Sequence, residues 1–171
     1  MLIRRQTATD HDAIDAVHRA AFADQAPGAE PVEVGLVRSL RGDAGWVPGL
    51  SLVAEHAGTV VGHVVCTEGS LDGATAVGLG PLGVLPEHQR RGVGGALMHA
   101  ALGAADALDY QVVVLLGHIE YYRRFGFVPA ASIDISPTHP EWGDHFQARP
   151  LGTWTSAVRG IFRYAKPFDA L

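Results

Sequence analysis

The sequence predicts an α+β protein in which a mixed, mostly antiparallel sheet is flanked by helices. Three observations carry this: two β-rich runs joined by Ala57-Gly58, a third extended run after them, and 3.6-periodic segments on both sides of that block. Residues 2–6 form the first strand. Thr9 or Asp10 then caps a helix through about Phe22, with Ile14, Val17, Ala20 and Ala21 on its apolar stripe. Ala26-Pro27-Gly28-Ala29 breaks the chain, and Val34, Val37 and Leu40 space a second helix to about Arg41. Residues 42–49, with glycines and a proline, read as a loop. Residues 50–56 and 59–67 are the hairpin strands, because a two-residue link with glycine supplies the turn that matches strand twist. Residues 74–84 make a third, glycine-rich strand. A helix over about 92–108 leads to the apolar run 111–116, a strand buried on both faces. A short helix around 120–125 ends at Gly126, and Phe127-Val128 begins another strand. Residues 130–157 show no clear pattern, and 160–164 read as a last strand.

Composition narrows the function. The 171 residues predict one domain over 1–171, long enough to bury about 70% of its unfolded surface without disulfides. A net charge of −5 and the lack of a basic tract exclude an electrostatic nucleic-acid binder. The single cysteine, Cys66, excludes a disulfide framework and a cysteine-rich zinc site. No stretch nears the roughly 18 apolar residues of a membrane span. The opening Met1-Leu2-Ile3-Arg4-Arg5-Gln6 is too short and too charged for a signal peptide, so a cytoplasmic location is expected.

Gly78-Leu79-Gly80-Pro81-Leu82-Gly83 matches the dinucleotide fingerprint letter by letter, but its context is wrong. No helix opens within it, Pro86 follows, and no acid lies about 20 residues on. It predicts instead a strand bent or bulged at Gly80-Pro81. The next segment, Val84-Leu85-Pro86-Glu87-His88-Gln89-Arg90-Arg91-Gly92-Val93-Gly94-Gly95, runs from strand through turn into an amphipathic helix. Its glycines clear the helix start of side chains, so free N–H groups and the helix dipole favour a phosphate there. Arg90 and Arg91 add positive charge. No Gly-Lys-Ser/Thr closes the loop, which excludes a Walker site. A turn that merely starts a helix is the plain alternative.

These residues resemble the acyl-CoA signature of the GNAT superfamily of N-acetyltransferases, Gln/Arg-x-x-Gly-x-Gly/Ala, as Gln89-x-x-Gly92-x-Gly94, with the Val-x-Pro lead-in at Val84-Leu85-Pro86. Downstream, Tyr122 and Gly126-Phe127 are similar to the family's Tyr-x-x-x-Gly-Phe. Residues 116–127 look especially like the branch related to the bacterial protein YhbS, which also lacks the upstream Asn. The resemblance covers most of the chain and implies the GNAT fold, with a splayed central strand pair. It implies acetyl-CoA as co-substrate, its pyrophosphate held around Gln89, Arg90, Arg91, Gly92, Val93, Gly94 and Gly95. The backbone of Leu82 and Val84 would pair with the pantetheine arm and offer N–H groups to a developing oxyanion.

Tyr122 would serve as general acid, because a phenol can donate to a leaving thiolate; only its spacing to Gly126-Phe127 selects it over Tyr121. An alkyl amine is only about 0.04% neutral at pH 7, so a base is also needed. Glu33, Glu68, His63 and His118 are the candidates that the resemblance places near the cleft mouth, with Glu33 first. Each has a structural alternative, and an ordered water could serve. His139, Glu141, Asp144 and His145 match no metal spacing, so no metal is expected. Trp142, His145 and Trp154 are candidates for the acceptor side, and Cys66 reads as a core residue.

The resulting expectation is direct acetyl transfer to a small-molecule or peptide amine in a ternary complex. A non-catalytic acyl-CoA-binding or sensing protein is the alternative, and donors longer than acetyl stay open. Nucleic acid and membrane are not expected partners. A homodimer is possible through pairing of the last strand between subunits.

Overall fold

In the computed structural model, which describes residues 1–171, the chain opens with β1 (Leu2–Arg5), α1 (His11–Ala21) and α2 (Val32–Leu40). Three long strands follow, β2 (Trp46–His56), β3 (Thr59–Leu71) and β4 (Ala74–Val84). Then come α3 (Val93–Ala107), β5 (Val112–Leu116) and the single turn α4 (Ile119–Tyr122). Short strands complete it: β6 (Val128–Pro129), β7 (Ile135–Pro137), β8 (Phe146–Pro150) and β9 (Gly160–Phe162). The main sheet runs β1-β2-β3-β4-β5-β8-β6, and β7 pairs with β9 separately. Within the main sheet only β4 and β5 are parallel. The predicted mixed, mostly antiparallel sheet is what forms.

Local chemistry explains the centre. Ala57 and Gly58 both have positive φ, 50° and 79°, as the tight turn between twisted antiparallel strands demands. The parallel β4–β5 pair needs a crossover, which α3 supplies. Its Leu97, Met98, Ala101 and Ala105 pack in the main core with Leu52, Ala54, Val64, Cys66 and Val77. Gly62 permits that approach, since a Cβ there would sit 3.0 Å from Leu97 Cδ1. Leu97 is fully buried, so truncation to alanine would cost about 2–5 kcal/mol. Ile14 and Val17 of α1 pack with Val37, Val53 and Val60. The Asp10 carboxylate anchors the start of α1, accepting from the Thr7 N–H at 2.7 Å and from Arg4 Nη1 at 2.7 Å.

The feature that makes a site is a split in the sheet. β4 and β5 pair only at Ala76–Val112, Val77–Val113 and Gly78–Val114. β5 continues beside β8 as far as Leu116, while β4 leaves it. There β4 carries one extra residue against β3: Leu82 faces Val64, but Leu79 faces Cys66. The extra residue falls at Gly80-Pro81, joined by a cis bond, and forms the bulge that the sequence predicts.

Three expectations change. β2 begins at Trp46, inside the predicted loop, with irregular pairing between Trp46 and Ser51. β8 arises within the unpatterned 130–157 and inserts between β5 and β6. The last strand, expected over 160–164, ends at Phe162 and pairs with β7, with Arg163 bridged to Ser70 beyond it. No helix is long and apolar enough to cross a membrane.

Candidate active site

The loop after β4 exposes its backbone. Arg90 and Gly92 both take left-handed conformations, φ 57° and 86°, which curl the chain into a concave turn before α3. The first amide satisfied beyond it is that of Ala96, which donates to the Gly92 carbonyl at 2.9 Å. The N–H groups of residues 90–95 have no backbone partner. They sit at the positive end of a 15-residue helix. Gln89 Nε2 donates to the Val84 carbonyl at 3.1 Å, tying the loop to the end of β4.

These groups border a cavity of about 880 Å³, lined by Leu82, Val84, Gln89, Arg90, Gly92, Gly94 and Gly95. A Cβ on Gly95 would meet nothing within 4 Å, whereas one on Gly94 would lie 2.8 Å from the Tyr121 hydroxyl. Two predicted binding residues contribute differently. Val93 is 5% exposed in the core, so only its amide is available. Arg91 is exposed and, like Arg90, has no carboxylate partner.

The split strands and α4 position the two tyrosines differently. The Tyr121 ring holds the Arg124 guanidinium 4.3 Å from its centroid, on the wall of this first cavity. Tyr122 packs on Gly117, where a Cβ would collide with its ring, and it alone of the pair also lines a second cavity. Burial, and then neighbouring Tyr121, push the Tyr122 phenol up to about 12. Gly126, at φ 81°, ends the turn, and Phe127 is buried in the core, as expected of both.

The second cavity, about 1090 Å³, opens where the strands have parted. Leu79 to Leu82 of β4 and Leu116 of β5 line it, with Glu33 and Leu36 of α2 and the rings of Trp142, Tyr164 and Phe168. It shares Phe22, Leu82 and Tyr122 with the first cavity. Among the four candidate bases, Glu33 alone is on this wall. Glu68 accepts from the Tyr110 hydroxyl at 2.6 Å and lines neither cavity. His118 lines the first cavity, where its carbonyl accepts from the Tyr121 and Tyr122 amides.

His63 is fully buried in a polar chain beneath α1. The Ser51 hydroxyl donates to Gln6 Oε1 at 2.7 Å and contacts His63 Nε2 at 2.9 Å, and His63 Nδ1 meets His18 Nε2 at 2.8 Å. With the Ser51 proton given to Gln6, each histidine passes one N–H along the chain and stays neutral. Burial lowers both, His18 to about 4.

The remaining expectations divide. Trp142 lines the second cavity, but Trp154 packs against the smaller core and His145 Nδ1 sits 3.2 Å from the Gly117 carbonyl. Cys66 is fully buried, which pushes its thiol up to about 12 and leaves it a core residue. Sequence reasoning misses Phe22, Arg124 and Tyr164. Arg124 stands within the Tyr-Arg-Arg-Phe-Gly run and was legible there; Phe22 and Tyr164 carry no local signal.

Comparison with known proteins identifies the family and the fold. Residues 48–129 match the Acetyltransferase (GNAT) domain family. The chain is 31% identical to the uncharacterized N-acetyltransferase YhbS of Escherichia coli strain K12, over 99% of each. It is 41% identical to YjhQ of the same strain over 103 residues, 57% of that protein. The crystal structure of Escherichia coli YhbS in complex with CoA superposes with a TM-score of 0.86 at 30% identity, covering 98% of this chain and 91% of that one. A GNAT acetyltransferase from Brucella melitensis in complex with acetyl-CoA gives 0.78 at 32% identity, covering 98% and 97%. A full-length relative of this similarity, with the same overall fold, assigns the chain to the GNAT family of acetyltransferases.

Proposed function

We propose that the protein transfers an acetyl group from acetyl-CoA to a primary amine by direct attack, with one substrate in each cavity. The observation that carries this reading is that the two cavities share Leu82 and Tyr122 where β4 and β5 part. A donor entering from one side and an acceptor from the other would meet there.

The chain fits the donor. Six consecutive amides without a backbone partner, 90–95, adjoin a glycine-cleared space large enough for a cofactor-sized ligand, and N–H groups at a helix start suit a pyrophosphate. Beyond Gly78 the edge of β4 facing β5 is unpaired, so Leu82 and Val84 can hydrogen-bond an amide-bearing arm as an added strand does. Acetyl-CoA supplies an activated acyl group on a sulfur whose thiol has a pKa near 8.5 by analogy with cysteine. Tyr122, kept protonated by burial, donates a hydrogen bond where negative charge develops on that sulfur. Glu33 stands on the acceptor wall without a hydrogen-bond or ion-pair partner and takes the amine's proton, directly or through water.

CoA release followed with a thiol reagent across an amine panel tests the reading. Wild type should release CoA with at least one amine. Tyr122→Phe should lose about 100-fold or more in kcat, within the usual range for acid–base assistance, while binding CoA as before. Tight CoA binding with no turnover by any amine would instead support a sensing protein.

A further inference from the structure

The second cavity contains a polar group that no step above uses. Tyr164 follows β9, and its ring covers Gly78, the last β4 residue paired with β5; a Cβ at position 78 would strike it. The Tyr164 hydroxyl oxygen is buried and has no hydrogen-bond partner. Its ring packs against two others. It stands perpendicular to Phe162 at 5.1 Å and lies 4.7 Å from Phe168, centroid to centroid. Burial, and then the nearby Tyr122, hold its phenol well above the ordinary range, so it stays neutral and can both donate and accept.

A buried hydroxyl without a partner destabilises a folded protein, so its retention on a cavity wall indicates a partner that arrives with the ligand. The wall around it carries several flat rings, with Phe22, Trp142 and Phe168 beside Tyr122 and Tyr164. Trp142 is itself held in place by stacking on His139 at 4.8 Å. Charges of both signs border the cavity. Arg163 and Lys166 are exposed, whereas Glu33 is half-buried on α2, so the inward-lying charge favours a cation.

Resting on the acetyl-transfer reading above, we propose that this cavity takes a primary amine carried on an aromatic arm, and that the Tyr164 phenol oxygen is the hydrogen-bond partner of its nitrogen. The arm packs against the lining rings of Trp142 and Phe168, where ring contacts add to simple burial. The nitrogen is thereby turned toward Leu82 and Tyr122, where the cavities join.

Calorimetric titration of 2-phenylethylamine into protein saturated with CoA tests this without turnover. Wild type should bind the probe. Tyr164→Phe should bind it at least tenfold more weakly, with CoA affinity within about twofold and a melting temperature unchanged or raised, because only the unpartnered oxygen is removed. A purely structural tyrosine would instead lower the melting temperature and leave probe binding alone. Trp142→Ala should weaken the probe at least fivefold by removing a ring that the arm packs on. Absence of probe binding to wild type that does bind CoA would overturn the aromatic-amine assignment and leave the donor site standing. Equal probe affinity in Tyr164→Phe would overturn the phenol contact, and equal affinity in Trp142→Ala the aromatic arm. Failure of wild type to bind CoA would bring down the acetyl-transfer reading itself, and this proposal with it.

Discussion

The two cavities that meet at Tyr122 are built from different materials. About half of the first comes from one continuous stretch, Leu82 to Gly95, whose backbone supplies a strand edge, a left-handed turn and the first turn of α3. The second is side chains from distant segments, with Phe22 and Glu33 near the start of the chain and Trp142, Tyr164 and Phe168 near its end. A backbone site demands particular φ values and an absence of side chains, so it writes itself into the sequence as glycines at fixed spacing. A side-chain site demands only that some rings and charges converge, and convergence is set by tertiary packing.

The comparison is tested most severely at the shared residue. Tyr122→Phe should lower kcat by about 100-fold to 1000-fold while CoA affinity stays within about threefold, as expected of a group acting in the reaction rather than in donor binding. Steady-state rates beside calorimetry check it. A parallel loss of CoA affinity would assign Tyr122 to the first cavity alone.

That division also explains what was legible. The hairpin, the β4 bulge at Gly80-Pro81, α3 and the Gly126 cap were all readable, because each is fixed by residues adjacent in sequence. The loop glycines and the spacing that singles out Tyr122 also lie within short stretches of sequence. β8 was not, since Phe146, Gln147 and Ala148 are all buried and show no alternation. His63 and Glu68 looked available as bases because sequence cannot show which face of a strand lies under a helix. His63 points into the buried chain with His18, and Glu68 turns to Tyr110. Tyr164 was unreadable because Gly78, the residue it covers, is 86 positions away.

Acid should act first on a buried pair that lines neither cavity. His18 and His63 are neutral in the fold and held below their unfolded pKa near 6.5, His18 at about 4. Between those values the unfolded chain binds more protons, so stability is complete above pH 6.5 and is lost as pH falls toward 4. The loss from His18 alone is about 3 kcal/mol, with His63 acting in the same direction. Asp10, held low by Arg4, adds its own loss only below about pH 4. Melting temperatures from pH 7.5 to 4 measure this, and a flat profile down to pH 4.5 would contradict a buried neutral pair.

The backbone half should respond to volume. Gly94→Val places atoms against the Tyr121 hydroxyl and into the first cavity, so CoA should bind at least tenfold more weakly, about 1.4 kcal/mol, in a protein that still folds. Calorimetry with circular dichroism separates the two effects. The smallest change belongs outside both cavities. Gly126→Ala puts a Cβ on a left-handed cap against the Arg149 side chain and should cost about 1 kcal/mol of stability, read by urea denaturation.

A crystal structure with bound acetyl-CoA tests the central claim most directly. The account predicts the pyrophosphate on the amides of residues 90–95, the pantetheine arm along β4 at Leu82 and Val84, and the thioester sulfur within hydrogen-bonding reach of the Tyr122 hydroxyl. A pyrophosphate bound away from that loop, or a thioester remote from Tyr122, would contradict it.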